Sequence, residues 1–448
     1  MHIAMIGTGY VGLVSAACFA EFGVDVTAVD SDRGKIERLQ SGAIPIYEPG
    51  LEELVVRNVE AGRLTFTTEL AGALDEVDAV FIAVGTPSRR GDGHADLTYL
   101  FAAAEQIARG LKGGALVVTK STVPVGTGRK LQQLFAKLRP DLAIEVASNP
   151  EFLREGSAIE DFMRPDRVVV GVESAQAQEV LERLYRPLNL IQTPILFTSL
   201  ETAELIKYAT NSFLATKVTF INEMADLCER VGADVQAVAR GLGLDRRIGS
   251  KFLHPGPGFG GSCFPKDTMA LLRIAEEANV AQRIVESVVA VNEGRKRNMV
   301  RRIVQACGGS VRGQTVAILG VTFKPNTDDI RDSPSLVIVP ALQAEGAVVR
   351  AYDPEGMAAA AAELPEVIWC DDAYGAIDGA DAMVVLTEWN QFRGLDLERV
   401  HGLLRRPVVV DLRNIYEPAD MVALGFSYTS IGRPVLSPVI DAQKRKSA

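Results

Sequence analysis

Cys263 lies in Gly258-Phe259-Gly260-Gly261-Ser262-Cys263-Phe264-Pro265-Lys266-Asp267, a glycine-rich run leading into a proline-initiated helix. Pro265 suits the first turn of a helix, where a missing N–H leaves no bond unmade. Cys263 is then expected at a helix N-terminus, where unpaired N–H groups and the dipole favour a thiolate. Lys266 adds positive charge, and Asp267, four residues on, shares the cysteine's face if the helix begins this early. Most unbridged cysteines are small buried hydrophobes. The glycine loop and the charged neighbours favour a reactive thiol instead. Beside a nicotinamide site, such a thiol serves one chemistry. An alcohol is oxidised, the aldehyde is held as a thiohemiacetal, and a second oxidation gives a thioester.

The nicotinamide site is read from the start of the chain. A strand beginning at about His2 runs into Gly7-Thr8-Gly9-Tyr10-Val11-Gly12, an apolar helix follows to about Phe22, and a second strand covers Val24–Asp30. This is the setting that a G-x-G-x-x-G pattern requires. Gly7 permits the tight turn, Gly9 lets a pyrophosphate reach the backbone, and Gly12 allows close helix packing. Asp30 ends the second strand, where a carboxylate binds ribose hydroxyls and repels a 2′-phosphate. That favours NAD over NADP, with Arg33 and Lys35 keeping NADP open.

The elements that must carry these residues alternate in α/β fashion. Strands at Asp78–Val84, Ala115–Thr119 and Val146–Ser148 run into Gly85-Thr86-Pro87, Ser121-Thr122-Val123-Pro124 and Asn149-Pro150-Glu151. These turns fall at the carboxyl edge of an expected parallel sheet, where ligands bind. Residues 201–231 contain no Gly or Pro and predict one long helix, with Lys207 and Asn211 four apart on one face. A second helical stretch is expected at about Val280–Cys307. Strands at Gln314–Leu319, Val348–Tyr352, Ala382–Leu386 and Val408–Asp411 repeat the α/β rhythm without a glycine fingerprint. The loop after the first of them carries Lys324 and Arg331, which suit phosphate or nucleotide groups. Ser333 or Asp332 is expected to cap a helix with Pro334 at its first position.

Composition narrows the function classes. With 448 residues the chain is too long for one ordinary domain, and its net charge of −10 argues against a general binder of nucleic acid or membrane surfaces. An anionic substrate would need a local cluster of Lys and Arg. The five cysteines form no C-x-x-C pair and read as reduced thiols of a cytoplasmic protein, and the four scattered histidines show no metal-ligand spacing. No leader is read before the first strand and no apolar run reaches membrane-spanning length. Lys444-Arg445-Lys446 reads as a solvated tail.

Taken together, the motifs resemble the nucleotide-sugar 6-dehydrogenases over nearly the whole chain. Ile-Gly-Thr-Gly-Tyr-Val-Gly-Leu-Val, Val-Gly-Thr-Pro, Ser-Thr-Val-Pro-Val-Gly-Thr, Asn-Pro-Glu-Phe-Leu-Arg-Glu-Gly, Gly-Phe-Gly-Gly-Ser-Cys-Phe-Pro-Lys-Asp and Phe-Lys-Pro-Asn-Thr-Asp-Asp-Ile-Arg stand in the family's order. The resemblance implies two Rossmann-like doubly wound parallel-sheet domains joined by a long central helix. Residues 1–200 would bind NAD, 201–307 would form a central helical and dimerisation region with the cysteine loop, 308–440 would bind the UDP-sugar, and 441–448 would be a tail. It implies a nucleophilic role for Cys263. Lys207 and Asn211 would anchor the substrate and stabilise charge on the reacting oxygen. Asp267 would partner Lys207 and a catalytic water, Glu155 would serve thioester hydrolysis, Thr122 would position water, and Glu151 belongs to the same cluster.

For the cofactor, the resemblance adds Tyr10, Val11, Lys35, Thr86, Thr122, Glu155, Cys263, Lys266 and Arg331 to the fingerprint glycines and Asp30. For the sugar nucleotide it implies Glu151, Phe152, Leu153, Arg154, Glu155, Lys207, Asn211, the stretch Phe252, Leu253, His254, Pro255 and Gly256, then Gly260 and Lys324. Arg247 resembles an arginine that reaches the substrate diphosphate from a partner subunit, which implies a homodimer. The implied substrate is UDP-glucose, with GDP-mannose or a UDP-N-acetylhexosamine as alternatives. A two-electron hydroxyacid dehydrogenase would share the fingerprint and Lys-x-x-x-Asn but lacks the Gly-Gly-Ser-Cys loop. A nucleotide sensor would have lost catalytic side chains that are all present here.

Overall fold

Eight strands build the first sheet: β1 (His2–Ile6), β2 (Asp25–Val29), β3 (Leu64–Thr67), β4 (Ala79–Ile82), β5 (Ala115–Thr119), β6 (Ile144–Ser148), β7 (Val168–Gly171) and β8 (Ile195–Thr198). Their order is β3-β2-β1-β4-β5-β6-β7-β8. All neighbours are parallel except β6 and β7, which meet antiparallel at Ser148 and Gly171. Both faces are covered. Ile3 and Met5 pack with Phe19 and Phe81 on one side, while Ala4 and Ile6 pack with Val80 and Val117 on the other. Two-sided burial is why the strands read as unbroken apolar runs. The strand order reverses direction at β1 and β4, the switch point where such sheets hold ligands.

Six strands build the second sheet: β9 (Thr315–Leu319), β10 (Val348–Tyr352), β11 (Ile368–Trp369), β12 (Ala382–Val385), β13 (Val408–Asp411) and β14 (Ser427–Thr429). The order is β11-β10-β9-β12-β13-β14, all parallel. The loop after β9 therefore has the place in its sheet that the glycine fingerprint has after β1.

The expected long helix spans Leu200–Val231, 32 residues and about 48 Å. Its first turns bury Leu200, Ala203 and Tyr208, and its last bury Ile221, Ala225 and Cys228 in the core that includes β9. The chain divides into two compact units, residues 1–210 with 269–281, and residues 211–268 with 282 onward. The second expected helix is Arg283–Ala306, starting after a turn with Asn279 at φ 56°.

The cap expected at Ser333 or Asp332 differs from what forms. The helix runs Ser335–Ala344 with Pro334 itself at the N-cap. The Ser333 hydroxyl donates to the Val321 carbonyl, and its oxygen accepts from the Ser335 amide at 3.3 Å, so it serves the β9 loop as much as the helix.

The computed structural model describes residues 1–87, 89 and 93–434. The expected tail and the 435–440 end of the last expected domain lie outside the described residues. Among the described residues no helix is long and apolar enough to cross a membrane.

Candidate active site

The turn after β1 is built for close approach. Gly7 has φ 101°, and a Cβ there would lie 2.7 Å from the Ala83 carbonyl oxygen. A Cβ on Gly12 would lie 1.9 Å from the Gly7 carbonyl oxygen, so only glycine lets the helix Tyr10–Glu21 start this near the strand. A Cβ on Gly9 would meet nothing within 4 Å. That open space borders a helix N-terminus with no side-chain cap, a fitting cradle for an anionic pyrophosphate.

Asp30 closes the same site. Its carboxylate accepts from the Thr8 amide at 2.9 Å, the Thr8 hydroxyl at 2.8 Å, the Asp32 amide at 3.0 Å and Lys35 Nζ at 3.1 Å. Burial alone would raise its pKa, but these donors hold it below the usual carboxylate range. Lys35 is thus paired with Asp30, and Arg33 pairs at the surface with Glu37. A fixed anion with its nearest cation already paired suits a 2′-hydroxyl rather than a 2′-phosphate. Farther along the edge, the Thr86 hydroxyl donates to the Thr122 carbonyl at 2.8 Å, joining two expected cofactor residues. Tyr10 hydrogen-bonds Glu48, which also accepts from the Gly156 amide at 2.6 Å and the Ala158 amide at 2.7 Å. That network ties the fingerprint helix to the segment carrying Glu155, while Val11 sits half-buried one residue on.

A second cluster in this unit is charged and almost dry. Lys207 Nζ lies 2.9 Å from Glu151 Oε1, and their side chains are 3% and 6% exposed. Glu151 also accepts from the Leu153 amide at 2.6 Å. Burial pushes its pKa up, but Lys207 and these hydrogen bonds outweigh it and hold the carboxylate ionised. The Phe152 ring meets two cations, Arg167 at 3.9 Å and Lys207 at 5.4 Å from its centroid. Arg154 faces outward to Asp161. Behind the cluster, Lys120 Nζ donates to Asn149 Oδ1 at 3.0 Å and lies 3.3 Å from the Tyr185 hydroxyl. Both partners are neutral, and burial pushes the Lys120 ammonium down to about 8.

In the second unit, the helix Phe264–Glu277 begins one residue after the thiol. The Asp267 amide donates to the Cys263 carbonyl at 2.8 Å, so Cys263 occupies the N-cap. Its Sγ is half-buried, 3.5 Å from the Ser262 hydroxyl. Asp267 is fully buried and accepts from Asn211 Nδ2 at 2.6 Å and from Lys266. Phe252 holds φ 64°, a strained value for an aromatic residue, with its ring 5.9 Å from that of Phe264. Leu253, Pro255 and Gly256 are buried and His254 is exposed. A Cβ on Gly260 would lie 2.3 Å from the Asp332 carbonyl oxygen, which brings the thiol loop against the loop after β9. In that loop Lys324 lies over the Phe323 ring at 5.1 Å, and Arg331 pairs with Asp329. Arg247 is exposed and pairs with Asp245.

Among the expected residues, Glu151 pairs with Lys207, Thr86 with Thr122, and Asp267 with Asn211 and Lys266. Sequence reading passed over Glu48, Lys120 and Glu204. Glu204, one turn before Lys207, accepts from the Gly126 and Gly128 amides at 2.6 and 2.7 Å and so caps the helix Thr127–Leu138. Burial pushes its carboxyl up to about 7 despite those bonds. The signal for Lys120 was its place directly before Ser121-Thr122, at the end of a strand that otherwise reads as core.

Residues 1–189, 201–294 and 317–418 match the NAD binding, central and UDP binding domains of the UDP-glucose/GDP-mannose dehydrogenase family. The chain is 58% identical to a UDP-glucose 6-dehydrogenase of Rhizobium meliloti, over 97% of this chain and 100% of that protein. A UDP-glucose dehydrogenase of Pyrobaculum islandicum has the same fold, with TM-score 0.86 and 42% identity over 92% of this chain and 94% of that one. A UDP-D-ManNAc dehydrogenase of Pyrococcus horikoshii gives TM-score 0.83 at 28% identity, covering 97% and 99%. NAD is the cofactor of the first unit.

Two outcomes follow from this geometry. Gly9→Ala should leave the melting temperature within a few degrees of the parent while weakening NAD binding, and Gly12→Ala should destabilise the fold outright. Calorimetric titration with NAD and thermal melts check both, and a Gly12→Ala protein as stable as the parent would contradict the packing described. For Lys120, the folded pKa is depressed from 10.5 to about 8. The unfolded chain therefore binds more protons between those values, so this residue makes stability rise with pH there. From pH 7.5 to 9.5 the parent should gain about 2 kcal/mol that Lys120→Met does not gain. Urea midpoints at the two pH values check this, and parallel responses would contradict it.

Proposed function

The chain belongs to the UDP-glucose/GDP-mannose dehydrogenase family, and from that premise we propose that it oxidises the primary alcohol of UDP-glucose to the carboxylate of UDP-glucuronate. The observation that carries this substrate is the 58% identity to a UDP-glucose 6-dehydrogenase along 97% of the chain, against 28% to the UDP-D-ManNAc dehydrogenase. UDP-glucose, two NAD⁺ and water give UDP-glucuronate, two NADH and three protons.

When bound, NAD supplies the oxidising power, two molecules in succession each accepting one hydride from the substrate carbon. The side chains do the rest. Lys207 and Asn211 donate to the reacting oxygen and stabilise the negative charge that develops on it, as an oxyanion site does. The Glu151 carboxylate pairs with the Lys207 ammonium in a place almost without water. The Cys263 thiolate adds to the aldehyde carbon: the S–C bond forms, the C=O π pair moves to the oxygen, and that oxygen takes a proton from solvent to give the thiohemiacetal. The second oxidation leaves a thioester. Glu155 and Asp267, with Thr122, orient the water that attacks it, the C–S bond breaks, and the thiol and the acid are released. The place of Cys263 at a helix N-cap favours the thiolate form.

The loop after β9, with Lys324, and Arg247 from a second copy hold the substrate diphosphate, so the working form is a homodimer. Lys266 and Arg331 contact the cofactor. Residues 1–200, 201–307 and 308–440 serve as cofactor, central and UDP-sugar portions. A thiol that must stay reduced suits the cytoplasm.

The test is stoichiometry. With limiting UDP-glucose and excess NAD, the parent should yield two NADH per sugar nucleotide and the acid as product. Cys263→Ala should lose acid formation by orders of magnitude yet still reduce a supplied UDP-sugar aldehyde with NADH. One NADH per substrate with release of aldehyde, or faster turnover of a UDP-N-acetylhexosamine, would overturn the reading.

A further inference from the structure

We infer that Asn292 and Arg295, on the helix Arg283–Ala306, are positioning residues that hold the Cys263 loop in its reactive register. The inference rests on the role proposed for Cys263.

Residues 256–260 are buried and form neither helix nor strand, so their backbone groups need partners from elsewhere. Side chains supply them. The Asn292 amide accepts from the Phe259 N–H at 2.8 Å and donates to the Phe259 carbonyl at 3.1 Å, as a neighbouring strand would. Three residues earlier in the loop, the Gly256 N–H donates to Asn222 Oδ1 at 2.8 Å, and the Gly256 carbonyl accepts from Arg295 Nε at 2.6 Å. Two loop residues thus have both backbone groups held by side chains. Asn292 and Arg295 stand three apart on one helix, and they share a face.

The fit is close. Gly258 has φ 123°, and a Cβ there would lie 3.0 Å from Asn292 Oδ1 and 3.2 Å from Lys296 Cγ. Beyond Phe259 the Gly261 amide donates to the Arg331 carbonyl at 2.7 Å, and Cys263 then opens its helix. No residue between Phe259 and the thiol lies in a helix or strand that could fix it independently.

Packing alone does not account for these residue types. Asn222, Asn292 and Arg295 are 2%, 3% and 4% exposed. The Arg295 guanidinium leans on Asp226, and its Nη2 is buried without a partner among the described residues. Burying a guanidinium that is incompletely hydrogen-bonded is unfavourable, and an apolar side chain of similar volume would pack there at less cost. What the apolar chain could not do is fix the Gly256 carbonyl. A displacement of about 1 Å at a reacting group lowers a rate about 100-fold.

The experiment uses the full-length protein with UDP-glucose and NAD, comparing Asn292→Leu, Asn292→Asp, Arg295→Met and Arg295→Lys. Single-turnover NADH release separates the first oxidation, which needs no thiol, from the second, which does. Asn292→Leu and Arg295→Met should slow acid formation about 100-fold while the first oxidation and the KM for UDP-glucose change far less. Their iodoacetamide alkylation at Cys263 should follow an altered pH profile. Asn292→Asp keeps the acceptor for Phe259 N–H, and Arg295→Lys keeps one donor for Gly256, so each should recover part of the rate and keeps the test open if the first pair misfold. Equal slowing of both oxidations, or lowered stability with an unchanged kcat, would overturn the inference. Cys263→Ala run alongside keeps the two claims apart. If it still forms acid, the proposed role of the thiol falls. If it does not, and the folded Asn292 and Arg295 variants keep full kcat, only the positioning role falls.

Discussion

An ammonium group taken out of water is best compensated by a carboxylate buried with it. The buried pair of Lys207 and Glu151 is the constraint on which the first unit's site depends. Glu151 follows Asn149-Pro150 at the end of β6, and Asn149 is fixed by Lys120 from the end of β5 and by the Val169 carbonyl, to which its Nδ2 donates at 2.8 Å. Lys207 is fixed through its helix, because Glu204 one turn earlier caps the helix after β5. Two strand ends and one long helix thus converge on a single ion pair. One turn later the same helix presents Asn211, which meets Asp267 in the second unit, the residue whose amide bonds the Cys263 carbonyl.

Much of this was legible in the sequence where backbone conformation dictates residue type. Gly7 and Gly12 are readable because any side chain would collide with a carbonyl oxygen. The ends of β5, β10 and β13 fall where apolar runs stop at polar residues. The long helix was legible from the absence of Gly and Pro. Lys120, Glu48, Asn292 and Arg295 were not legible. Each works through a partner 29 to 110 residues away, and apart from the strand-end place of Lys120 nothing local distinguishes them from solvated polar residues. The cap at Pro334 was misplaced because Ser333 also donates to the β9 loop, a tertiary demand that local cap preferences do not reveal.

The two sheets show how far a local rule reaches. Gly320 follows β9 with φ 86°, as Gly7 follows β1 with φ 101°. Asp353 follows β10 as Asp30 follows β2, and each accepts from the threonine amide and hydroxyl of its turn. The surroundings then diverge. Asp353 is fully buried and also accepts from the Val321, Glu355 and Gly356 amides and from Trp389 Nε1. One carboxylate closes a loop internally, whereas the other keeps an edge toward open space. The same strand-turn-strand frame gives a cofactor site in one unit and a structural latch in the other. The difference is made by residues such as Trp389, which lies 36 positions along the chain from Asp353.

The proposed reaction requires that the substrate carbon become covalently attached to Cys263 during turnover. The most direct measurement is acid quenching at millisecond times with UDP-glucose and excess NAD, followed by mass spectrometry of the peptide holding Cys263, in the parent and in Glu155→Gln. A UDP-glucuronyl thioester on Cys263 should precede acid release and accumulate further when Glu155 is replaced. UDP-glucuronate formed over several turnovers with Cys263 unmodified at every quench time would contradict the proposed reaction.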